Sequence, residues 1–445
     1  MKLKILTPLL AIALCASIWL YVSRDTRPNV MVILIDTLRA DHLGVYGYSR
    51  PTSPNLDKFA NENTRFDYAI TACPWTPPSV ASIFSGLYPA SHGWMPPDNR
   101  NSLKHESTGL APELKTIAEV LSSNGYFTGA VSSNPWISPE FNYDQGFEVY
   151  EIAPRAQASR VNKLAKDVIK KARASGKPFF TYLHYLDPHD SYDPPTVFRK
   201  YNDTPPGKHE YSPEMQKFLN LYDGEISYVD SELGQLFAYL KAEGLYDDLA
   251  IIVVADHGEQ FQEHGDWRHG FQLFNEEVRV PLMIKRPGAN VPTVVNSVVS
   301  TIDLFPTMLD FTQAKYDYDG PAISALKTEL LEGRQGVMSE ISRRYQQKAY
   351  IAQDRTKLII GSKPIVTAQK ASDQNEVTGD PTAIVGLFSA EQDLPVTDSA
   401  RASSLALFLN ETHQLALSKF VEQSTSRAKV KDTTLEQLKS LGYLQ

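Results

Sequence analysis

Five stretches of the chain hold continuous apolar runs in place of an alternating pattern: NVMVILID (29–36), YFTGAVSSN (126–134), PFFTYLHYLD (178–187), LAIIVVADHG (249–258) and VPLMIKRPG (280–288). A strand with no polar face must be covered on both sides, a condition met in parallel sheets sandwiched by helices. Helical patterns do lie between the runs. From Pro112 to Ser123 apolar residues recur at Leu114, Ile117, Ala118 and Leu121, and Gly125 offers a C-terminal stop. Ser212-Pro213-Glu214 opens a longer helix with the stripe Met215, Phe218, Tyr222, Ile226, Val229, Leu233 and Leu236, ended by Gly244. The pattern predicts an α/β fold, a mostly parallel sheet flanked by helices.

Near residue 335 the texture changes. KAYIAQD and TKLIIGS read as a hairpin, 370–402 is polar and loop-like, and TTLEQLKSLGYLQ closes the chain as a short amphipathic helix. We therefore divide the sequence into a catalytic body over 28–335 and a smaller α+β subdomain over 336–445. Residues 1–27 form a third unit. After M-K-L-K, the segment from Ile5 to Val22 carries no charge. As a helix it would span about 27 Å, close to the ~30 Å hydrocarbon core of a bilayer. It reads as a signal-anchor. A cleaved signal peptide is the second reading, since Ser17 is small, although apolar residues continue beyond it. A lipoprotein cysteine at Cys15 is disfavoured by the bulky Leu14 before it. Lys2 and Lys4 on one flank nearly balance Arg24 and Arg27 on the other. The expectation is a membrane-anchored protein whose large domain is extracytoplasmic, periplasmic or at the cell surface.

A net charge of −8 with no basic cluster argues against nucleic acid as a partner, because phosphate-backbone binding needs clustered positive charge. Two cysteines, Cys15 and Cys73, exclude a disulfide framework.

The chemistry gathers where ligands of open α/β sheets gather, at the carboxyl ends of strands. Asp36 closes the first run, Asp256 and His257 close another, and His189 follows the run that ends L-D-P-H-D. Anionic oxygen beside neutral imidazole is what a divalent metal requires. A further stretch, CPWTPPSVASIFSGLYP (73–89), holds two rival nucleophiles, Cys73 and Thr76. Thr76 reads as an N-cap with Pro77 at the first helical position. A hydroxyl there sits among free backbone N–H groups at the positive end of the helix dipole, and metal ligation would activate it further. Without such a site it is simply a cap.

Together PNVMVILID (28–36), TPPSVASIFSGLYP (76–89), DPH (187–189), DHGE (256–259), HG…RVP (269–281) and VSTIDLFPT (299–307) resemble the sulfatase branch of the alkaline phosphatase superfamily. Members of that branch carry C/S-x-P-S-R, whose first residue becomes formylglycine. Aligned on Cys73 the chain reads C-P-W-T-P. Aligned on Thr76 it reads T-P-P-S-V and keeps both the Pro and the Ser. The resemblance therefore gives Thr76 the nucleophile position, as an unmodified hydroxyl. Three family positions differ: the Arg is Val80, the second Asp of the first motif is Thr37, and the Lys after G-Y-x-T is replaced by Ser132-Ser133.

The resemblance implies a metal held by Asp36, Thr76, Asp256 and His257. One divalent ion is expected, zinc or manganese in preference to calcium or magnesium. A second would need Asp187 with His189 or His269. His189, His264 and His269 are implied around the substrate, with His189 and His269 in catalysis. The implied reaction is cleavage or transfer of a phosphate ester, phosphate diester or phosphonate through a covalent intermediate. The substrate would be an anionic ester, for example a lipid head group or a glycopolymer. A sulfuric ester hydrolase and a catalytically silent binding protein of the same fold are the alternatives.

Overall fold

All five apolar runs become strands of one eight-stranded sheet. The computed structural model describes residues 25–94, 106–107, 109–204, 209–288, 291–343, 346–361, 384–389, 393–421 and 428–441. In chain order the strands are β1 (Asn29–Ile35), β2 (Thr64–Ile70), β3 (Phe127–Ser132), β4 (Val149–Ile152), β5 (Phe179–Tyr185), β6 (Leu249–Val254), β7 (Arg279–Lys285) and β8 (Thr293–Ser300). They lie side by side as β8-β2-β7-β6-β1-β5-β3-β4. β1 sits at the centre, parallel to both β5 and β6, and every residue of β3, β5 and β6 is buried.

The fifth run departs from expectation in its direction. β7 is antiparallel to both neighbours, pairing Leu282 with Val254 on β6 and Arg279 with Ile70 on β2. Continuous burial reports that both faces are covered and says nothing of polarity. Here residues 255–278 leave the carboxyl end of β6 and return at the same end, so the next strand must run backwards. β2 and β8 escaped the apolar-run reading for a different reason. β2 (TRFDYAI) leaves Arg65 and Asp67 half-buried, and the outer half of β8 is exposed.

Local chemistry sets the helix ends. The first expected helix begins later than Pro112, at Ile117, because Thr116 and Glu119 form a reciprocal capping box there. The long helix is Pro213–Ala242, with the Ser212 side chain accepting from the Met215 N–H. It ends before Gly244, whose φ of +66° is left-handed. Helix Ala158–Ala174 packs over β3 and β5.

A smaller, five-stranded antiparallel sheet follows: β9 (Gly336–Ser342), β10 (Gln346–Ala352), β11 (Thr356–Gly361), β12 (Ile384–Ser389) and β13 (Leu394–Pro395). β10 and β11 are the expected hairpin, and the closing helix is Asp432–Ser440. The stretch read as a polar loop, 370–402, contains β12 and the start of helix Ser399–Ser418. The short apolar IVGLFS was diluted by its polar surroundings. That helix packs on β10. The apolar segment near the N-terminus lies outside the described residues. Among those described, no helix is long and apolar enough to cross a membrane.

One packing feature has a measurable signature. His92 is 1% exposed, and its Nε2 meets Ser82 Oγ at 3.0 Å. Burial pushes its imidazole down to about 3, against about 6.5 in an unfolded chain. The unfolded state therefore binds the proton first. Stability from this group is full above about pH 6.5 and is lost as pH falls toward 3, by about 2 kcal/mol at pH 5. Unfolding midpoints followed from pH 7.5 to 5 should fall more steeply for the wild type than for His92→Gln. Parallel curves would show that His92 carries none of the acid sensitivity.

Candidate functional site

The carboxyl ends of β1, β3, β5 and β6 converge, and helix Thr76–Ser85 points its N-terminus at the same place. Trp75 takes the N-cap position with extended backbone and no side-chain cap bond. Thr76 is thus the first helical residue, one position later than the sequence suggested, and its hydroxyl is not spent on capping. The helix is seated by Ser79, which donates to the Asp256 carbonyl at 2.8 Å, and by Tyr143, which donates to the Pro77 carbonyl at 2.6 Å.

Asp36 and Asp256 each have one hydrogen-bonded oxygen and one without a partner among the described residues. Asp36 Oδ2 takes hydrogen bonds from Asn134 Nδ2 at 2.7 Å and His184 Nε2 at 2.9 Å. Asp256 Oδ1 accepts from the Thr37 and His257 amides at 3.2 and 2.9 Å. Asp36 Oδ1 and Asp256 Oδ2 have no hydrogen-bond partner among the described residues. Both face His257 Nε2, at 3.9 and 3.4 Å. That nitrogen also lies 3.1 Å from Thr76 Oγ1. His257 Nδ1 sits 2.8 Å from the Gly258 carbonyl; donating there fixes Nε2 as the unprotonated nitrogen.

Two carboxylate oxygens without a hydrogen-bond partner among the described residues and one hydroxyl thus gather around the His257 Nε2 lone pair. Such a donor set fits a divalent metal ion. Asp36, His184 and Asp256 each offer a ligand atom within 4.8 Å of the others. The His184 nitrogen is already bonded to Asp36, so its geometry is that of an orienting group behind the carboxylate.

The charges agree with this arrangement. Burial and the facing Asp36 carboxylate raise Asp256. Burial also works against Asp36, but the His184 hydrogen bond and the imidazoles of His189 and His257 hold it below the usual carboxylate range. Thr37 reaches Asp256 from a left-handed backbone, φ +57°, an outlying conformation for a β-branched residue.

Of the remaining sequence candidates, His189 and His269 join the cluster. The His269 ring lies 4.4 Å from that of His257 and 4.9 Å from that of His189. His269 Nδ1 meets Glu259 Oε1 at 3.0 Å. Burial, then the two neighbouring imidazoles, then Arg343 and Arg268 push His269 well below its ordinary value. His264 is engaged elsewhere: its Nδ1 meets Glu276 at 2.6 Å and its ring stacks 3.7 Å from Phe274. The Asp187 carboxyl turns to Glu225 and the Ala158 backbone, and burial raises it to about 6. Cys73 is 2% exposed, and burial pushes its thiol well up.

Sequence reasoning missed two contributors, His184 and Asn134. His184 was read as one more residue of a buried strand. The signal available was an imidazole on a fully buried strand, which needs a polar partner. Asn134 lies just past Ser132-Ser133, whose hydroxyls donate to the carbonyls of Asn134 and His184.

Known proteins share this fold. The chain is 24% identical over 369 residues to an arylsulfatase of Clostridium perfringens, covering 64% of this chain and 75% of that one. A phosphonate monoester hydrolase of Agrobacterium radiobacter superposes with a TM-score of 0.66 at 18% identity, covering 88% of this chain and 96% of the other. A protein solved with its substrate D-glucosamine-2-N,6-O-disulfate gives a TM-score of 0.69 at 17% identity, covering 88% and 98%. The family model described as Sulfatase matches residues 28–314, well over half the sequence, and with the fold and the strand-end site in place the chain belongs to the sulfatase family, a hydrolase group of the alkaline phosphatase superfamily.

Proposed function

We propose that the protein is a metal-dependent phosphoryl or phosphonyl ester hydrolase or transferase with Thr76 as nucleophile. One observation carries the reading: Asp36 Oδ1 and Asp256 Oδ2, neither with a hydrogen-bond partner among the described residues, face the same His257 Nε2 that contacts Thr76 Oγ1. These four residues would hold the metal. Mixed oxygen and imidazole donors suit zinc or manganese better than calcium, which takes six to eight oxygens. When bound, the ion lowers the pKa of the threonine hydroxyl and offsets negative charge on the reacting group.

The chain's own residues then do the rest. The Thr76 Oγ–P bond forms as the bond from phosphorus to the departing alcohol oxygen breaks. Thr76 gives up one proton and the leaving alkoxide takes one, with His189 and His269 as carriers. The positive end of the dipole of helix Thr76–Ser85 favours the transferring oxygens, although Pro77 and Pro78 bring no N–H to this first turn. Water, or an acceptor alcohol, then cleaves the Thr76 ester and restores the hydroxyl. The substrate class is an anionic ester such as a lipid head group or glycopolymer, met outside the cytoplasm by a domain tethered through its N-terminal segment.

Phosphorus is preferred over sulfur because the family cations at two positions are lost: Val80 is packed in the core and Ser132-Ser133 bond to backbone. The phosphonate monoester hydrolase fold neighbour supports the same choice, whereas the arylsulfatase relative supports a sulfuric ester hydrolase as the second reading. Matched aryl esters decide between them. A phosphonate monoester or phosphate diester should be turned over faster than the sulfate ester of the same alcohol, with each metal supplied in turn. A sulfate preferred by tenfold, about 1.4 kcal/mol of transition-state free energy, would reverse the assignment.

A further inference from the structure

Thr37 directly follows Asp36 and is the strained residue of the site, with φ at +57°. A β-branched residue keeps such a conformation only where its surroundings over-determine it. Its side chain does not hold it there, since Thr37 Oγ1 has no hydrogen-bond partner among the described residues. The restraint comes through the backbone. The Thr37 N–H donates to Asp256 Oδ1 at 3.2 Å, and the Thr37 carbonyl accepts from the Tyr222 hydroxyl at 2.7 Å.

Tyr222 belongs to the long helix Pro213–Ala242 and is fully buried. Its oxygen also accepts from the Arg39 N–H at 2.9 Å. One hydroxyl thus bridges the two ends of the turn that follows β1, donating to Thr37 and accepting from Arg39. Burial pushes that hydroxyl well above its ordinary value, so it stays protonated. Edge contacts with the rings of His42, Tyr192 and Phe261 seat the phenol. The same turn sends the buried Arg39 side chain to the Glu259 carbonyl at 3.0 Å and to the Glu263 carboxylate at 2.5 Å. It therefore grips the segment after β6 both at Asp256 and three to seven residues beyond.

We propose that Tyr222 is a positioning residue for the metal ion. By holding Thr37 in its left-handed backbone it keeps the Thr37 N–H on Asp256 Oδ1, which fixes the carboxylate with Oδ2 left for the ion. Both of its hydrogen bonds go to backbone, so it acts through the turn. This rests on Asp36, Thr76, Asp256 and His257 being the metal site of the proposed function.

The test reads zinc affinity of the full-length protein by competition with a chromophoric chelator, and the visible spectrum of the protein loaded with cobalt. Tyr222→Phe should weaken zinc binding about tenfold, the scale of an orienting bond lost behind a ligand, and should alter the cobalt band, which reports ligand geometry. Leu240→Ala, a core truncation in the same helix, should lower stability while leaving zinc affinity and the cobalt band as in the wild type. Glycine takes positive φ without steric cost, so in a Thr37→Gly background Tyr222→Phe should cost little zinc affinity. Unchanged affinity and spectrum in Tyr222→Phe, an equal loss in Leu240→Ala, or an undiminished loss in the glycine background each overturns the proposal. Should Tyr222→Phe fail to fold, the double variant decides: recovery of folding and zinc binding supports the role, and failure to recover overturns it. A wild type that takes up neither zinc nor cobalt overturns the metal reading itself, whereas a wild type that binds zinc no better than Tyr222→Phe overturns only the role of Tyr222.

Discussion

Thr76→Ala should lower turnover by about four orders of magnitude or more, the scale seen when a covalent nucleophile is removed from an otherwise intact site. Cys73→Ala, three residues away, should keep most of the activity. Thr76 is the side chain whose oxygen lies 3.1 Å from His257 Nε2, whereas Cys73 is packed in the core with its thiol protonated by burial. Thr76→Ser is the informative intermediate, since it keeps the hydroxyl and removes only the methyl. Partial activity in that variant with none in Thr76→Ala assigns the chemistry to the oxygen. Loss of activity in a folded Cys73→Ala protein, or conversion of Cys73 to formylglycine seen by mass spectrometry, would move the nucleophile.

The second large effect concerns the metal. The purified protein should hold about one transition-metal ion per chain, and Asp256→Asn should weaken its binding by about a hundredfold or more, since ligand charge and geometry set the affinity. Asn134→Ala removes no ligand yet deletes a hydrogen bond that aims Asp36, and a loss of about tenfold is expected there. Metal content after dialysis against a graded chelator measures both. Retention of the ion by Asp256→Asn, or calcium as the sole ion supporting activity, would contradict the donor set.

Much of this was readable before any coordinates. The runs that became β1, β3, β5 and β6 announced themselves because burial on both faces leaves no polar residue to interrupt them. The strand ends then located Asp36, Asp256 and His257, since a residue just past such a run lies at the sheet's carboxyl end. What stayed hidden was orientation. No residue pattern distinguished the reversed β7 from its parallel neighbours, because side-chain burial is the same either way. His184 was hidden by its setting inside an apolar strand, and only the pairing of β5 with β1 places it behind Asp36. His264 stands apart from the cluster. The resemblance places it around the substrate, and in the structure its Nδ1 meets Glu276 and its ring stacks on Phe274.

The reversed strand has a consequence for how the active site can change. Residues 255–278 leave and re-enter the sheet between two strands that are bonded to each other, Val254 opposite Leu282. That single excursion carries Asp256, His257, Glu259, Arg268 and His269. Its two ends are therefore clamped at a fixed separation whatever lies between them. Because these flanking strands pair directly, a change in length between Glu259 and Arg268 leaves their pairing, and with it the order of all eight strands, in place.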